Sequence, residues 1–555
     1  EVHELEVGTH DDDDQRSQSH RIMAETVDIC IKQIQKIWAT TPYDEVGRRL
    51  YDGVKYPMII LKSPKGWTGV DVADGKQISG SFRAHQVPVD MSKPTHIETV
   101  EKWLLSYKPA ELFNGNGTIK DDILAFCPTG EARITANRAT YGGKSYHPLI
   151  IPDIQKYFID PKETTQDMLI LSNFVADLIK LNPTNFRFFS PDEAKSNRLY
   201  APFGVTARMF GAEIYESDED LSPTGRIMDS ILSEHLCEGM LEGYNLTGRH
   251  GFFASYESFA RVVDSMLTQH AKWLKLTKDM PWRTPLPPLN LIATSHCWQQ
   301  DHNGFTHQDP GLVAHLLDKD PAVIRAYYPP DANSLLAVFN KCVQDPHKIN
   351  IITASKHPSR QWLTGTDALR VVAEGISIWN LYETCQPTDD PDVVLACCGD
   401  TPTLECIAAL RIAKEQFPNL KIRLVNVIDL GKMNGREDSL TATEYERLFT
   451  NDRPVIFVHH GYPNIIRALV ANRPNVGQYI FAGYNEVGEI TTGFDMRALN
   501  AIDRYHIACL LAGFAHPYYS GEAIAAATLN FQSKLAEHTE YIAENGTDPD
   551  WITNW

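Results

Sequence analysis

The chain has no long apolar run, and this absence excludes an integral membrane protein first. None of its hydrophobic stretches approaches the ~18 residues that a membrane-spanning helix needs. The opening residues, EVHELEVGTHDDDDQ, lack the basic region and the apolar core of a signal peptide. The sequence therefore predicts a cytoplasmic protein without a membrane partner.

Basic residues are also scarce. Lys and Arg number 52 against 71 Asp and Glu, so the formal net charge is −19 at pH 7. Binding to nucleic acid requires a concentrated basic surface that neutralises phosphates, so no such partner is expected. The ten cysteines follow no regular spacing, which favours reduced, mostly buried thiols over a disulfide framework or a paired zinc site.

The sequence lacks the glycine motif that binds dinucleotides, although it has the alternation of strands and helices found in dinucleotide-binding folds. No GxGxxG follows a predicted strand, which leaves a nicotinamide-binding Rossmann site without support. Strands such as LNLIATS and INIITAS alternate with helical segments, a pattern that predicts parallel sheets covered by helices. The 555 residues exceed what one hydrophobic core supports, and we expect three domains, over residues 1–150, 151–366 and 367–555.

One polar segment follows a predicted buried strand. SHCWQQDHNGFTHQD, residues 295–309, comes directly after LNLIAT, and parallel sheets place ligands at the carboxyl ends of their strands. Loop histidines and asparagines often cap helices or satisfy buried carbonyls, so the density of the cluster carries the interpretation, not any single member. A metal site built on His296 and its neighbours fits no familiar zinc spacing. The candidates are Gln300, His302, Asn303 and His307.

Cations occupy similar positions elsewhere. Lys65 and Lys356 follow predicted strands, and Arg198 lies in the loop after another. Each alone is typical of a surface charge, but three strand-end cations in an acidic chain suggest a phosphate pocket. From residue type alone, Glu234 reads as an acid on a helix surface, and His85 is a single imidazole in an irregular loop.

Seven motifs in one order resemble the phosphoketolases, thiamine diphosphate enzymes related to transketolase. The resemblance runs from about Pro57 to the final DWITNW and implies an α/β, transketolase-like fold in which residues 151–366 bind the cofactor pyrimidine. It implies an aldehyde-lyase that cleaves xylulose 5-phosphate, fructose 6-phosphate or both with inorganic phosphate, giving acetyl phosphate and a shortened aldose phosphate. The motifs are SPKGWTG, FRAHQVP, SNRL, LSEH…EGYNLTGRHGFFASYE, QDHNGFTHQDPG, YYPPDAN and HHGYP.

The same resemblance assigns roles to residues. Glu234 would bond to the pyrimidine ring of thiamine diphosphate, and Tyr256 would lie against that ring. His85, His307 and Gln300 match catalytic positions suited to proton transfer. The residues that match positions near the sugar phosphate or the incoming phosphate are Lys65, Ser196, Arg198, His302, Asn303 and Lys356.

The chain departs from the family at its front. Phosphoketolases are normally longer there, and the Gly-Asp-Gly and Asn groups that hold magnesium and the diphosphate are not found; no GDG occurs in the sequence. The resemblance therefore predicts a fragment whose N-terminal part, with its magnesium ligands, is missing or is a separate chain. Residues 1–150 would be the remainder of the diphosphate-binding domain plus a linker, and the isolated chain would bind its cofactor poorly.

Assembly and two alternative functions complete the expectations. The resemblance implies a homodimer or a higher oligomer, since related enzymes build the cofactor site between subunits. A transketolase-like glycolaldehyde transferase would share the cofactor but would need no phosphate. A non-catalytic assembly subunit is the alternative from a different class.

Overall fold

A computed structural model describes residues 1–7, 13–42, 54–85, 88–136, 146–211, 213–229, 231–382, 384–385, 388–436 and 438–555. The chain forms two compact units. The first unit comprises Glu1–Asn137 with Gly211–Glu213, and the second comprises Arg138–Phe210 with Ile214–Trp555. The three-domain division stays a prediction, because the contacts separate only two units.

The first unit holds short strands and one long helix. Strands β1 and β2 pair in parallel, β3 and β4 form a small hairpin, and an apolar residue every three to four positions explains the long helix α1. In the part described, its buried hydrophobic residues are Val7, Cys30, Ala73 and Ile78. The elements are β1 Val2–Glu6, α1 Asp13–Thr40, β2 Met58–Lys62, β3 Val72–Ala73, β4 Lys76–Gln77, α2 Pro94–Ser106, α3 Pro109–Leu112 and α4 Asp121–Leu124.

The central sheet of the second unit has eight strands, all paired in parallel, in the order β12-β13-β11-β10-β6-β9-β7-β8. Every residue of β11 is buried, as expected for a strand covered on both faces. Strand β5, Thr164–Gln166, pairs separately with β14, Pro358–Arg360. The sheet strands are β6 Phe186–Phe189, β7 Arg208–Met209, β8 Leu221–Ser222, β9 Ile227–Met228, β10 His250–Tyr256, β11 Leu289–Thr294, β12 Ile324–Tyr327 and β13 Ile349–Thr353.

The C-terminal sheet has five strands in the order β15-β17-β16-β18-β19, and only its edge strand β15 is antiparallel. Its register pairs Cys398 with His459, so the ends of β16 and β18 lie side by side. The strands are β15 Ile376–Trp379, β16 Val393–Cys398, β17 Ile422–Val427, β18 Val455–His459 and β19 Tyr479–Ala482.

Helices cover both sheets, which confirms the predicted fold class. Phe188 and Ile352 of the central sheet share one cluster of buried residues with Leu395 and Ile456 of the C-terminal sheet. No described helix is both long and apolar enough to cross a bilayer. The helices of this unit are α5 Asp167–Leu181, α6 Glu234–Leu246, α7 Glu257–Ala260, α8 Asp264–Thr277, α9 Leu312–Leu316, α10 Ala332–Cys342, α11 Gly365–Glu374, α12 Asp400–Gln416, α13 Ala442–Phe449, α14 Asn464–Leu469, α15 Gly493–Leu499, α16 Arg504–Ala512, α17 Gly521–Asn545 and α18 Asp550–Thr553.

Candidate active site

The polar loop, residues 295–309, leaves the carboxyl end of β11 beside the end of β10, where Tyr256 pairs with Thr294. Gln300 in this loop is fully buried, and its side-chain oxygen accepts a hydrogen bond of 2.8 Å from Asn303 Nδ2. Its Nε2 is buried without a partner among the described residues. An unmade bond of this kind costs about 1–3 kcal/mol, so the amide is suited to meet a ligand.

Aromatic rings lie next to this loop. Tyr256 and Phe259 are stacked with their centroids 5.6 Å apart, and the His307 ring lies 5.0 Å from Phe259 and 6.3 Å from Tyr256. Partial burial, with the nearby charges of His302 and Lys356, lowers the pKa of His307. Its imidazole is therefore mostly uncharged near neutral pH and able to accept a proton.

Three of the predicted phosphate residues surround Tyr256. The Lys356 ammonium lies 4.6 Å from the centroid of the Tyr256 ring, whose hydroxyl donates to Ser196 Oγ at 3.3 Å. Arg198 Nη1 donates to the Ser196 carbonyl at 3.3 Å. Burial, with the Arg198 charge, lowers the pKa of Lys356, because both oppose its charged form. A bound anion would therefore stabilise the charged forms of Lys356 and Arg198 in this pocket.

Two loops at the site are held in strained backbone conformations. Ser295 has φ +49° and Arg198 has φ +65°, values in the left-handed region that non-glycine residues rarely adopt. Ser295 Oγ donates to Asn197 Oδ1 at 2.8 Å, and both residues are fully buried. Such strain costs on the order of 1–3 kcal/mol per residue and persists only where the surroundings fix it, as they do here by joining the two loops.

Glu234 begins helix α6 and is half-buried, and sequence reasoning missed its partner Glu193. Glu193 Oε2 accepts from the Tyr256 backbone N at 3.2 Å. Burial raises the pKa of Glu193 to about 7, against that hydrogen bond, and the Glu234 charge adds to the rise. Both carboxyls therefore lie at the Tyr256 edge of the sheet. The sequence context SPDEAKSN does not distinguish Glu193 from an ordinary acidic residue in a loop.

The remaining predicted residues are exposed, and two of them belong to the first unit. His302 is an exposed side chain, with Nε2 at 3.3 Å from Asn303 Nδ2. Lys65 and His85 belong to the first unit, and both are exposed. Their segments pack together there: Gly66 has φ +76°, and a Cβ on it would lie 2.7 Å from Ala84 Cβ in the 3-10 helix Phe82–His85.

Among the described residues, two groups of side chains have the spacing to hold a metal ion. Glu257, Cys297 and His460 form one, His296, Asp400 and His460 the other, with ligand atoms within 4.8 Å of one another in each. Both contain imidazole and one contains a thiol, whereas magnesium prefers oxygen ligands. Neither group fits magnesium. In each group one acid is already paired with one imidazole, at 2.9 Å for Glu257 with His460 and 3.0 Å for Asp400 with His296.

Family models match almost the whole chain. The model of D-xylulose 5-phosphate/D-fructose 6-phosphate phosphoketolase matches residues 170–345, and those of the N-terminal and C-terminal domains of the same family match residues 4–145 and 356–555. A probable phosphoketolase of Clostridium acetobutylicum is 48% identical over 548 residues, which are 97% of this chain and 68% of that protein. The chain belongs to the phosphoketolase family. It is thus a thiamine diphosphate-dependent enzyme of the aldehyde-lyase type.

Further comparisons agree with this assignment. The xylulose-5-phosphate phosphoketolase of Lactiplantibacillus pentosus is 46% identical over 510 residues, 90% of this chain and 64% of that one. Among solved structures, a transketolase mutant from Pichia stipitis has a TM-score of 0.60 at 15% identity and covers 94% of this chain and 68% of its own. Transketolase from Leishmania mexicana has a TM-score of 0.52 at 14% identity, covering 94% and 67%. These structures confirm the predicted transketolase-like fold.

One expectation about this phosphoketolase is not borne out. The prediction that its N-terminal part is missing conflicts with the match of the N-terminal domain model to residues 4–145. The associated predictions, a separate N-terminal chain and magnesium ligands on a missing segment, are not supported either. The prediction rested on the greater length of the family and on the absent GDG motif.

Proposed function

We propose that this phosphoketolase cleaves xylulose 5-phosphate, fructose 6-phosphate or both with inorganic phosphate. The products are acetyl phosphate plus glyceraldehyde 3-phosphate or erythrose 4-phosphate. The observation that supports this proposal most is the grouping of a buried ammonium, Lys356, with Arg198 and an uncharged imidazole, His307, around one tyrosine. That edge of the sheet offers anion binding and proton transfer side by side.

The residues of the second unit fit the ring end of thiamine diphosphate. Tyr256, stacked on Phe259, presents an aromatic surface, and Glu234 presents a carboxyl at the same edge. In the proposal Glu234 bonds to the pyrimidine and Tyr256 lies against it. When bound, the cofactor supplies a nucleophilic carbon and an electron sink, and the protein supplies orientation and charge.

Proton transfer falls to the loop side chains. His307 accepts a proton from a sugar hydroxyl and returns it later, since its lowered pKa keeps it uncharged near neutrality. The free Nε2 of Gln300 donates to a substrate oxygen, which satisfies a group that is otherwise buried unpaired. His85 is the second proton-transfer residue of the proposal.

Phosphate groups are bound by the cations and their polar neighbours. Arg198 offers two parallel donors to one phosphate, and Lys356 acts as a compact charge. Ser196 lies between Arg198 and Tyr256 and adds a hydroxyl. The remaining phosphate-binding residues of the proposal are Lys65, His302 and Asn303. Magnesium is part of the proposal because the phosphoketolases that the chain resembles use it with thiamine diphosphate.

We also propose that the enzyme works as a homodimer or higher oligomer in the cytoplasm. The first unit exposes large apolar side chains on several elements, including Ile29 at 46%, Met58 at 53% and Leu105 at 59%. Exposed large apolar side chains of this kind suit a face that another chain covers. The described cysteines are all free thiols, which suits a reducing compartment. Light scattering of the purified protein would contradict this assembly if it gave a mass of one chain.

The test of function is an assay for acetyl phosphate. We expect its formation from xylulose 5-phosphate only when inorganic phosphate and thiamine diphosphate are present. Product formed from an aldose acceptor without phosphate would favour the glycolaldehyde transferase instead. Glu234→Gln should lower the rate at least ~100-fold, whereas Glu216→Gln, an exposed acid in a loop, should leave it unchanged. An unaffected Glu234→Gln enzyme would favour the non-catalytic subunit.

A further inference from the structure

The first residues of the polar loop are held by a residue next to the C-terminal sheet, His460. His460 follows β18 directly, and its backbone N donates to Cys398 O at 2.9 Å, which fixes it on the C-terminal sheet. Its ring Nε2 lies 2.9 Å from Glu257 Oε1, and Glu257 Oε2 accepts from the Cys297 backbone N at 2.8 Å. One carboxylate therefore joins His460 to the loop.

A second pair runs parallel to the first. Asp400, the first residue of α12, has its Oδ2 3.0 Å from His296 Nε2. The rings of His296 and His460 meet edge to face with centroids 4.9 Å apart. Trp298 Nε1 donates to the His460 carbonyl at 2.8 Å. His296 and Trp298 are thus each bound to the C-terminal part of the chain, and Cys297 is joined to it through Glu257.

The far end of the loop is bound from the same direction. Gln308 Nε2 donates to Gln300 O at 2.8 Å and to Glu489 O at 3.0 Å, and its side-chain oxygen accepts from Tyr484 Oη at 3.1 Å. The Thr491 backbone N donates to Asp301 O at 3.1 Å. Both ends of the segment that carries Gln300 therefore depend on residues beyond the central sheet.

The charges around His460 favour this link. Burial alone would lower the pKa of His460, but the carboxylates of Glu257 and Asp400 raise it above its ordinary value. The other groups that face this imidazole are His296, Cys297, Tyr328 and His459. Removing one partner of a buried ion pair leaves an uncompensated charge, so the geometry is tightly enforced while both are present.

We propose that His460 is a positioning residue for the phosphoketolase reaction: acting through Glu257, it holds the polar loop so that Gln300 and His307 are in reach of the substrate. It touches no substrate itself. The C-terminal sheet thereby contributes to catalysis by fixing a loop that belongs to the central sheet. The inference rests on the proposed function only for its kinetic readout.

The test compares His460→Asn with His459→Asn. The control residue is the adjacent histidine, the last residue of β18, which is 1% exposed and whose ring contacts Tyr328, as the His460 ring does, but is hydrogen-bonded to no carboxylate among the described residues. We expect His460→Asn to lower kcat about 10- to 100-fold, since misplacement of catalytic groups costs rate steeply, while the KM for phosphate changes less than about twofold. His459→Asn should keep kcat within about threefold of the unchanged enzyme. Equal losses in both variants would overturn the proposal.

A second readout needs no activity. Amide hydrogen exchange followed by mass spectrometry should show faster exchange over residues 297–308 in His460→Asn and unchanged exchange there in His459→Asn. Unchanged exchange in both variants would overturn the proposal. An unaltered enzyme that formed no acetyl phosphate would count against the proposed function alone, because exchange would still decide the positioning.

Glu257→Gln protects the test against a variant that does not fold. The amide keeps the shape and can still accept from the Cys297 backbone N, so the loop should be only partly released, with kcat lowered about 3- to 10-fold. Combined with His460→Asn, it should add little further loss, since both act through one link. A double variant whose losses multiply would contradict the link.

Discussion

The two units of this phosphoketolase differ in how far they bury their apolar side chains. In the second unit, Phe252 and Val394 are fully buried in parallel strands that helices cover on both faces. In the first unit, Phe126 is 87% exposed and Leu105 is 59% exposed, and few apolar side chains are buried among its described residues. The second unit therefore has an extensive core, whereas the described residues of the first bury little apolar surface.

The largest effect should come from the same substitution made in both units. Phe252 packs against Phe188 and Phe339 with centroids 5.3 Å away in each case, so Phe252→Ala should cost about 3–5 kcal/mol of unfolding free energy. Phe126→Ala should stay within ~0.5 kcal/mol. Urea unfolding measures both. A cost above ~2 kcal/mol for Phe126→Ala would mean that another chain covers this face.

The next prediction compares the two lysines assigned to phosphate, one from each unit. Lys356→Met removes a buried charge beside Tyr256 and should raise the KM for phosphate about 10- to 100-fold, as loss of a charged hydrogen bond does. Lys65→Met removes an exposed charge of the first unit. A similar rise in the KM for phosphate in Lys65→Met would show that the first unit contributes to phosphate binding. An unchanged KM in Lys356→Met would mean that Lys356 does not bind phosphate.

A buried acid of the second unit gives a pH-dependent prediction. Glu238 is fully buried, and neither of its carboxyl oxygens has a partner among the described residues, so burial raises its pKa well above the ordinary value. A raised folded-state pKa means that stability is present below the unfolded-state pKa and is lost as the pH rises towards the folded-state value. Between them the loss is about 1.4 kcal/mol per pH unit.

Glu238→Gln should therefore flatten the fall of unfolding free energy above about pH 4.5. Its control is Glu101→Gln, an exposed glutamate on a helix of the first unit, which should leave the curve unchanged. Urea unfolding at a series of pH values gives the comparison. An equally steep curve for Glu238→Gln would place the proton on another group.

The smallest effect concerns packing inside the first unit. Gly66→Ala meets both a positive φ and the close Ala84 Cβ, whereas Gly75→Ala has a similar φ of +70° with nothing within 4 Å. Gly75→Ala should cost about 1 kcal/mol from backbone strain, and Gly66→Ala about 1–2 kcal/mol more from the contact. Equal costs would mean that the segment around Gly66 does not pack against the 3-10 helix Phe82–His85.

Much of this architecture can be read from the sequence because it is local. The alternation of apolar strands predicts the parallel sheets, and the density of polar residues after LNLIAT predicts the loop that contains buried Gln300. The motif order predicts the family, and seven predicted site residues lie around Tyr256 or in the adjoining loop: Ser196, Arg198, Gln300, His302, Asn303, His307 and Lys356. Their roles stay predictions.

The unpredicted parts depend on long-range pairing. Glu257 and His460 are 203 residues apart in the chain, and His296 and Asp400 are 104 apart, so no spacing rule connects them. Glu193 is recognisable only once its burial and its bond to Tyr256 are known. The missing GDG motif and the greater length of the family suggested a missing N-terminal part, whereas the N-terminal domain model matches residues 4–145.

The apolar cluster shared by the two sheets has a consequence for biosynthesis. It includes Met168 near its start and Ile552 at the very end of the chain. During translation the central sheet is therefore complete long before the residues that close over it have left the ribosome. A nascent chain of this length exposes aggregation-prone apolar surface until its last residues are synthesised. This enzyme should therefore depend on chaperones during synthesis more than a protein in which each domain completes its own hydrophobic core.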